Sequence, residues 1–259
     1  MRPMNIDLSG KVVLITGAGS GIGKCTARMF AECGASIIVH YRSGKDDVEQ
    51  FLLELSNYPG DHSAVQAELQ HRNEIDTMFI FVKTRYGRLD VLINNAGYAP
   101  KALFLEIDNN CLDMAMQVNF MAPFICAREA AKIMVEQSTG GKILFVASVD
   151  ADRPGHARTH YASAKAAEIQ LVKNIALELA DRKVLVNAIS PGAIETKILD
   201  VIHEDPEKET KVLRGIPLKR FGLPEEIGGM LLFLSSDYSG YTTGANITID
   251  GGLSLMRGY

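Results

Sequence analysis

The sequence predicts an α/β fold, a doubly wound parallel sheet with helices on both faces, on three observations. Short β-branched runs alternate with longer amphipathic segments along the whole chain. Most of the short runs are apolar throughout rather than alternating, which is how a parallel strand covered on both faces reads. A glycine-rich turn follows the first run and leads directly into a helix-length segment. Strand, helix and strand in this rhythm make βαβ units.

The first strand is expected over Val12–Thr16, where four aliphatic residues precede a threonine. The glycines that follow end it, and Gly23–Cys33 continues as a helix. Ser36–His40 and Ser63–Gln66 are the second and third strands, and the Glu74–Tyr86 helix leads to the fourth, Val91–Asn94. Cys111–Gln137 reads as one long helix, and Lys142–Ala147 as the fifth strand. In the helix Ala162–Ala180, Leu171, Val172, Ile175 and Leu179 recur at helical spacing and form an apolar stripe. Val184–Ile189 and Ala245–Ile249 are the last two strands, with a helix at Glu225–Ser235 between them. The charged stretch Leu199–Arg214, with Pro206 inside it, breaks the rhythm. It reads either as a solvated surface helix or as a lid, at about 197–216, over a cleft. Without repeats, low-complexity tracts or linkers, one domain over residues 1–259 is expected, with a cofactor half at about 8–140 and a catalytic half at about 141–259.

Composition narrows the function. The 259 residues carry 27 Lys+Arg against 31 Asp+Glu, a net charge of −4, which argues against a nucleic-acid binder working through a basic field. No run approaches the roughly 18 apolar residues of a membrane span. The first ten residues lack an apolar signal core, so a cytoplasmic location is expected. Cys25, Cys33, Cys111 and Cys126 form no C-x-x-C pair and read as free thiols; the six histidines are scattered, so no metal site is expected.

The turn Thr16-Gly-Ala-Gly-Ser-Gly-Ile-Gly23 carries the first chemistry. Its glycines, Gly17, Gly19, Gly21 and Gly23, permit a tight strand-to-helix turn and let the backbone approach a pyrophosphate. The helix start at Ser20–Ile22 supplies free N–H groups and positive dipole. The second strand ends at His40-Tyr41-Arg42-Ser43, without the acidic residue that would grip the ribose of NAD. Arg42 and Ser43 instead offer a cation and a hydroxyl suited to a 2′-phosphate. The reading favours NADP(H), with NAD(H) as the alternative.

Further motifs follow in order: Asn94-Asn-Ala-Gly97, Asn119 in Gln-Val-Asn, Ser148, Tyr161-Ala-Ser-Ala-Lys165, and Pro191-Gly192 followed by Thr196. In these residues, from about Leu8 to Gly252, the chain resembles the short-chain dehydrogenase/reductase family. The resemblance implies a Rossmann-type sheet of seven strands, a nicotinamide cofactor, a homotetramer and a catalytic set of Asn119, Ser148, Tyr161 and Lys165. It also implies cofactor contacts from Tyr41, Asn95, Ala96, Gly97, Tyr161, Lys165, Pro191, Gly192, Ile194 and Thr196. Glu68 falls where the family commonly has an Asp beside the adenine.

The chemistry of the pair can be argued from the residues. Tyr161 and Lys165 are four apart and share a helix face. A phenol near its ordinary pKa of about 10 is a poor base at neutral pH, and a neighbouring ammonium favours its ionised form. Tyr161 can then protonate a carbonyl oxygen or deprotonate an alcohol. By resemblance, Lys165 also binds the nicotinamide ribose, Ser148 hydrogen-bonds the substrate oxygen, and Asn119 holds a water linking Lys165 to solvent. Between Ser148 and Tyr161, a stretch that is apolar in many relatives, stand Asp150, Arg153, His156 and His160. They form either a polar substrate subsite or surface ion pairs of little consequence.

The expected activity is NADP(H)-dependent interconversion of a secondary alcohol and a ketone or aldehyde. The candidate small-molecule substrates are 3-oxoacyl thioesters, on an acyl carrier protein, and sugars or polyols. A reading from another class is a non-catalytic cofactor-sensing regulator on the same fold. Such proteins typically lose the tyrosine or the lysine, and both are present here. Enoyl reductases set the lysine further from the tyrosine than four residues. A zinc alcohol dehydrogenase is excluded by length and by its missing ligands.

Overall fold

The computed structural model describes residues 5–256. Its strands are β1 (Val12–Ile15), β2 (Ser36–Tyr41), β3 (Ser63–Gln66), β4 (Val91–Asn94), β5 (Gly141–Val146), β6 (Val184–Pro191) and β7 (Asn246–Ile249). They form one parallel sheet in the order β3-β2-β1-β4-β5-β6-β7.

Side chains alternate across each strand, so every residue meets one of two helical layers. Along β1, Val12 and Leu14 enter one layer and Val13 and Ile15 the other. The first layer is built by α3 (Arg72–Tyr86), α5 (Ala122–Glu136) and α6 (Thr159–Leu179), through Met78, Val82, Met134 and Val172. The second is built by α1 (Gly21–Glu32), α2 (Lys45–Leu55) and α9 (Pro224–Ser235), through Phe30, Phe51, Leu55 and Leu231. Burial of each such side chain contributes roughly 1.5–3 kcal/mol. This two-sided cover explains why the strands carry continuous apolar runs.

The strand order reverses between β1 and β4, and the crevice beyond the carboxyl ends of these strands is where this architecture binds ligands. Thr16 stitches its two walls together. Its Oγ accepts the N–H groups of Asn95 (2.9 Å) and Ala96 (3.1 Å), and Asn95 Nδ2 returns a bond to Thr16 O at 2.9 Å.

Three expectations change. The helix expected over Cys111–Gln137 is α4 (Asn109–Met116), a π turn (Gln117–Met121) and α5, and it begins two residues early because the Asp108 side chain caps the Cys111 N–H at 2.7 Å. The helix α2 was not expected. Its apolar residues Val48, Phe51 and Leu55 are spaced as a helix requires, but charged neighbours surround them. The stretch Leu199–Arg214 is two short helices, α7 (Asp200–His203) and α8 (Pro206–Arg214). Pro206 opens the second, whose cap is the Asp205 carboxylate. This segment packs on a small separate core of Leu199, Ile216 and Phe221 through Ile202, Val212 and Leu213.

Candidate active site

The glycine-rich turn leaves β1 at Thr16 and enters α1 at Gly21. Gly17 has a φ of +66°, and a Cβ there would stand 3.0 Å from Ala96 Cα, so only glycine fits against the β4 loop. At Gly23 a Cβ would lie 2.5 Å from Asn95 Nδ2. Gly19 meets only ordinary contacts, so nothing in the protein itself forbids a side chain there. Ser20, extended at φ −156°, makes no side-chain cap, and no acidic residue occupies the first turn of α1. The opening N–H groups of α1 thus lack a side-chain acceptor, which fits a pyrophosphate at this end.

His40 braces the turn from behind. Its Nδ1 accepts the Gly17 N–H and its Nε2 donates to Ala67 O, both at 3.0 Å. Only neutral imidazole makes both contacts, and burial pushes the His40 pKa down to about 4. At the end of β2, Tyr41 is buried while Arg42 and Ser43 are exposed, and among the described residues the Arg42 guanidinium makes no ion pair. The half-buried Glu68 follows β3, with its N–H donated to Glu74.

From the late half of the chain, Gly192 packs so closely on Asp250 that a Cβ would sit 2.7 Å from the Asp250 Cβ. Beyond it, Ile194 bridges to Gly222, and Thr196 reaches the glycine-rich turn, its methyl 3.4 Å from where a Gly21 Cβ would be. The fold therefore returns Pro191–Thr196 to the turn that the early half provides.

Ser148 lies two residues beyond β5 and is nearly buried; its Oγ accepts the Asp150 N–H at 3.1 Å. Tyr161 and Lys165 lie in the first turns of α6. Lys165 is 2 % exposed and donates to Val146 O, two residues before Ser148, at 2.8 Å. That bond ties α6 to the strand end leading to Ser148. Burial disfavours the lysine's charge, yet Glu168 and Tyr161 outweigh it and raise its pKa. An ammonium has three donors, and two of these are taken by Val146 and Glu168.

Asn119 is buried in the π turn before α5. Its Oδ1 accepts the Tyr98 N–H at 2.9 Å, and its Nδ2 donates to Tyr98 O at 2.7 Å and Ala115 O at 2.9 Å. Both amide protons are committed, and the side chain braces the loop after β4.

The polar stretch before α6 divides. Asp150 lies 3.9 Å from Arg158 Nε, and burial raises its pKa despite the arginines nearby. Arg153 donates to Leu253 O, His156 is exposed, and His160 is buried with neither ring nitrogen partnered. These four residues do not form one cluster. Arg158, which sequence reasoning passed over, has its guanidinium 5.6 Å from the Tyr161 ring centre and donates to Ala99 O at 2.6 Å. Ala102 N–H bonds Ala157 O, so the segments after β4 and β5 form a joint rim beside Tyr161. His40 and Glu168 were also missed; the Lys165–Glu168 spacing of three was the one visible signal.

Comparison with known proteins decides the family. The family model described as enoyl-(acyl carrier protein) reductase matches residues 17–254. A 3-oxoacyl-[acyl-carrier-protein] reductase of Thermotoga maritima is 40% identical over 248 residues, covering 96% of this chain and 99% of that one. The chain belongs to the short-chain dehydrogenase/reductase family. Another member, the L-rhamnose 1-dehydrogenase (NAD(P)(+)) of Azotobacter vinelandii, is 33% identical over 250 residues, covering 95% and 97% of the two chains. The crystal structure of a short-chain type dehydrogenase/reductase from Mycobacterium marinum superposes with a TM-score of 0.91 at 33% identity, over 97% of this chain and 98% of that one. As a short-chain dehydrogenase/reductase the chain is an oxidoreductase acting on CH–OH groups, and the family draws on NAD(P)(H). No helix among the described residues is long and apolar enough to cross a membrane.

Proposed function

We propose that this oxidoreductase interconverts a secondary alcohol and a ketone or aldehyde with NADP(H), and that Tyr161 is its acid–base group. The observation that carries the reading is the placement of Tyr161 one helical turn from a buried ammonium that is tied to the strand end leading to Ser148. The nicotinamide supplies or accepts the hydride. Tyr161 gives a proton to the carbonyl oxygen in reduction and takes it back in oxidation. Lys165 favours the phenolate and keeps one N–H for the cofactor ribose, while Ser148 Oγ stabilises charge on the substrate oxygen. The turn from Gly17 to Gly23 would hold the pyrophosphate, with Asn95–Gly97 and Pro191–Thr196 flanking it. Arg42 and Ser43 would take the 2′-phosphate, and Glu68 would lie toward the adenine. Asn119 supports this wall through Tyr98.

The Asp150–Arg158 pair beside Tyr161 favours a hydroxylated or anionic substrate, such as a sugar, a polyol or a sugar acid. A second reading, a 3-oxoacyl thioester, is supported by the 40% identity to the Thermotoga maritima enzyme and by the exposed Leu103, Phe104 and Leu105 beyond the rim. In either case we take α7–α8, with their separate small core, as a cover for the cleft, and the chain as a cytoplasmic homotetramer. The division into a cofactor half to about residue 140 and a catalytic half after it follows the same reading.

An initial-rate screen with NADPH and NADH against sugars, polyols, simple ketones and a 3-oxoacyl thioester tests it. Turnover of one class, at least about tenfold faster with NADP(H), is expected, because one charge-assisted contact contributes ~1.5–3 kcal/mol. Arg42→Asp should reverse the preference. Equal rates with both cofactors would remove Arg42 from the account.

A further inference from the structure

Glu168 is 0% exposed, on the face of α6 that meets the sheet. Its Oε2 is 2.8 Å from Lys165 Nζ, and its Oε1 is buried without a protein partner. A carboxylate in such a place is costly, since desolvation penalises its charge and half its acceptor capacity is unused. An apolar residue of similar volume would complete the core at lower cost. The mechanism proposed above does not use Glu168 either.

What surrounds the pair limits what Glu168 can act on. Among the elements packed on α6, β6 and the π turn carry no titratable side chain. Asp113 on α4 is exposed, Glu129 on α5 is paired with Arg72, Arg128 and Lys132, and Asp150 faces Arg158. Lys165 is the charged group acting on Glu168, and Glu168 and Tyr161 are those acting on Lys165.

We propose that Glu168 is a positioning residue for the Tyr161–Lys165 pair, one whose carboxylate holds the ammonium against Val146 O and partly offsets its charge, extending carbonyl reduction to higher pH. The proposal rests on Tyr161 being the acid–base group. An uncompensated ammonium would draw the proton from Tyr161 early, whereas one partly offset by Glu168 still favours the phenolate but leaves the phenol able to donate further into the alkaline range. Burial pushes the Glu168 carboxyl up to about 7, so it is ionised over that range. Glu168 touches neither substrate nor cofactor in this account; it works through Lys165.

The test uses the full-length protein as wild type, Glu168→Gln, Glu168→Met and Glu168→Asp. Gln keeps the shape and an acceptor but drops the charge, Met drops both, and Asp returns the charge. Phenolate formation is titrated by ultraviolet difference absorbance without any ligand. The part of the signal lost in Tyr161→Phe marks the Tyr161 step among the eight tyrosines. That step is expected to move to lower pH by at least about one unit in Glu168→Gln and Glu168→Met, a tenfold change in proton affinity. It should return at least partway in Glu168→Asp, and the alkaline limb of carbonyl reduction should move with it. A part in packing alone would change thermal stability and leave the step in place. A step within about 0.3 units of wild type, or one moved to higher pH, overturns the proposal. If Glu168→Gln does not fold, Glu168→Met decides on the same terms. Failure of the underlying reading looks different: Tyr161→Phe would then retain carbonyl reduction whatever the variants at 168 do.

Discussion

His40 shows how one buried side chain links the cofactor turn to solution pH. The imidazole accepts from Gly17 and donates to Ala67, and a second ring proton would confront the Gly17 N–H. Burial lowers its pKa from 6.5 to about 4, so between these values the unfolded chain binds a proton that the folded chain refuses. Stability from this source is complete above about pH 6.5 and is lost as pH falls toward 4, by on the order of 3 kcal/mol. Urea unfolding at pH 5 and pH 7 checks it: His40→Gln should show a weaker acid loss than wild type, and identical losses would exclude His40. The tyrosine and lysine of the site were legible because their spacing of four fixes a shared helix face. Glu168 was not, because a glutamate in a helix is ordinarily solvated and only the tertiary packing of α6 buries this one.

The helix interrupted at Asn119 shows where element-level reading stops. Residues 109–136 are helical almost without a break, and their composition predicts the length. The π turn at Gln117–Met121 is not legible from local sequence alone, for beside the local bond from Asn119 to Ala115 O it is held by bonds from Asn119 to Tyr98, on a loop about twenty residues earlier. The strands were legible to within two residues at each end, because two-sided burial demands the apolar runs that were read. Asn119→Ala would leave the half-buried backbone N–H and C=O of Tyr98 without this partner, costing about 0.5–1.5 kcal/mol per lost bond. Hydrogen exchange at the Tyr98 amide should accelerate at least about fivefold, with β4 itself unchanged. Unaltered exchange at Tyr98 would mean that the loop is held by something else.

Across the whole molecule, exposed apolar side chains stand singly on α2 and α3, at Leu53 and Ile80, and around α5 and α6 at Met121 just before α5, Phe124 on it and Leu177 on α6. Apolar surface of this kind is what an oligomer covers, and light scattering at micromolar concentration is expected to give the mass of four chains; a monomer mass would contradict the assembly. The sheet, its switch point and the returning Pro191–Thr196 segment serve one purpose in this account, which is to bring Tyr161 and Lys165 to a bound nicotinamide. The most direct measurement is the single-turnover rate of carbonyl reduction by Tyr161→Phe, with cofactor binding followed by fluorescence in the same samples. Removing only the phenolic oxygen should leave binding within a few-fold of wild type and slow turnover by about 10²–10⁴. A variant that binds the cofactor and reduces the carbonyl at the wild-type rate would show that Tyr161 is not the proton donor.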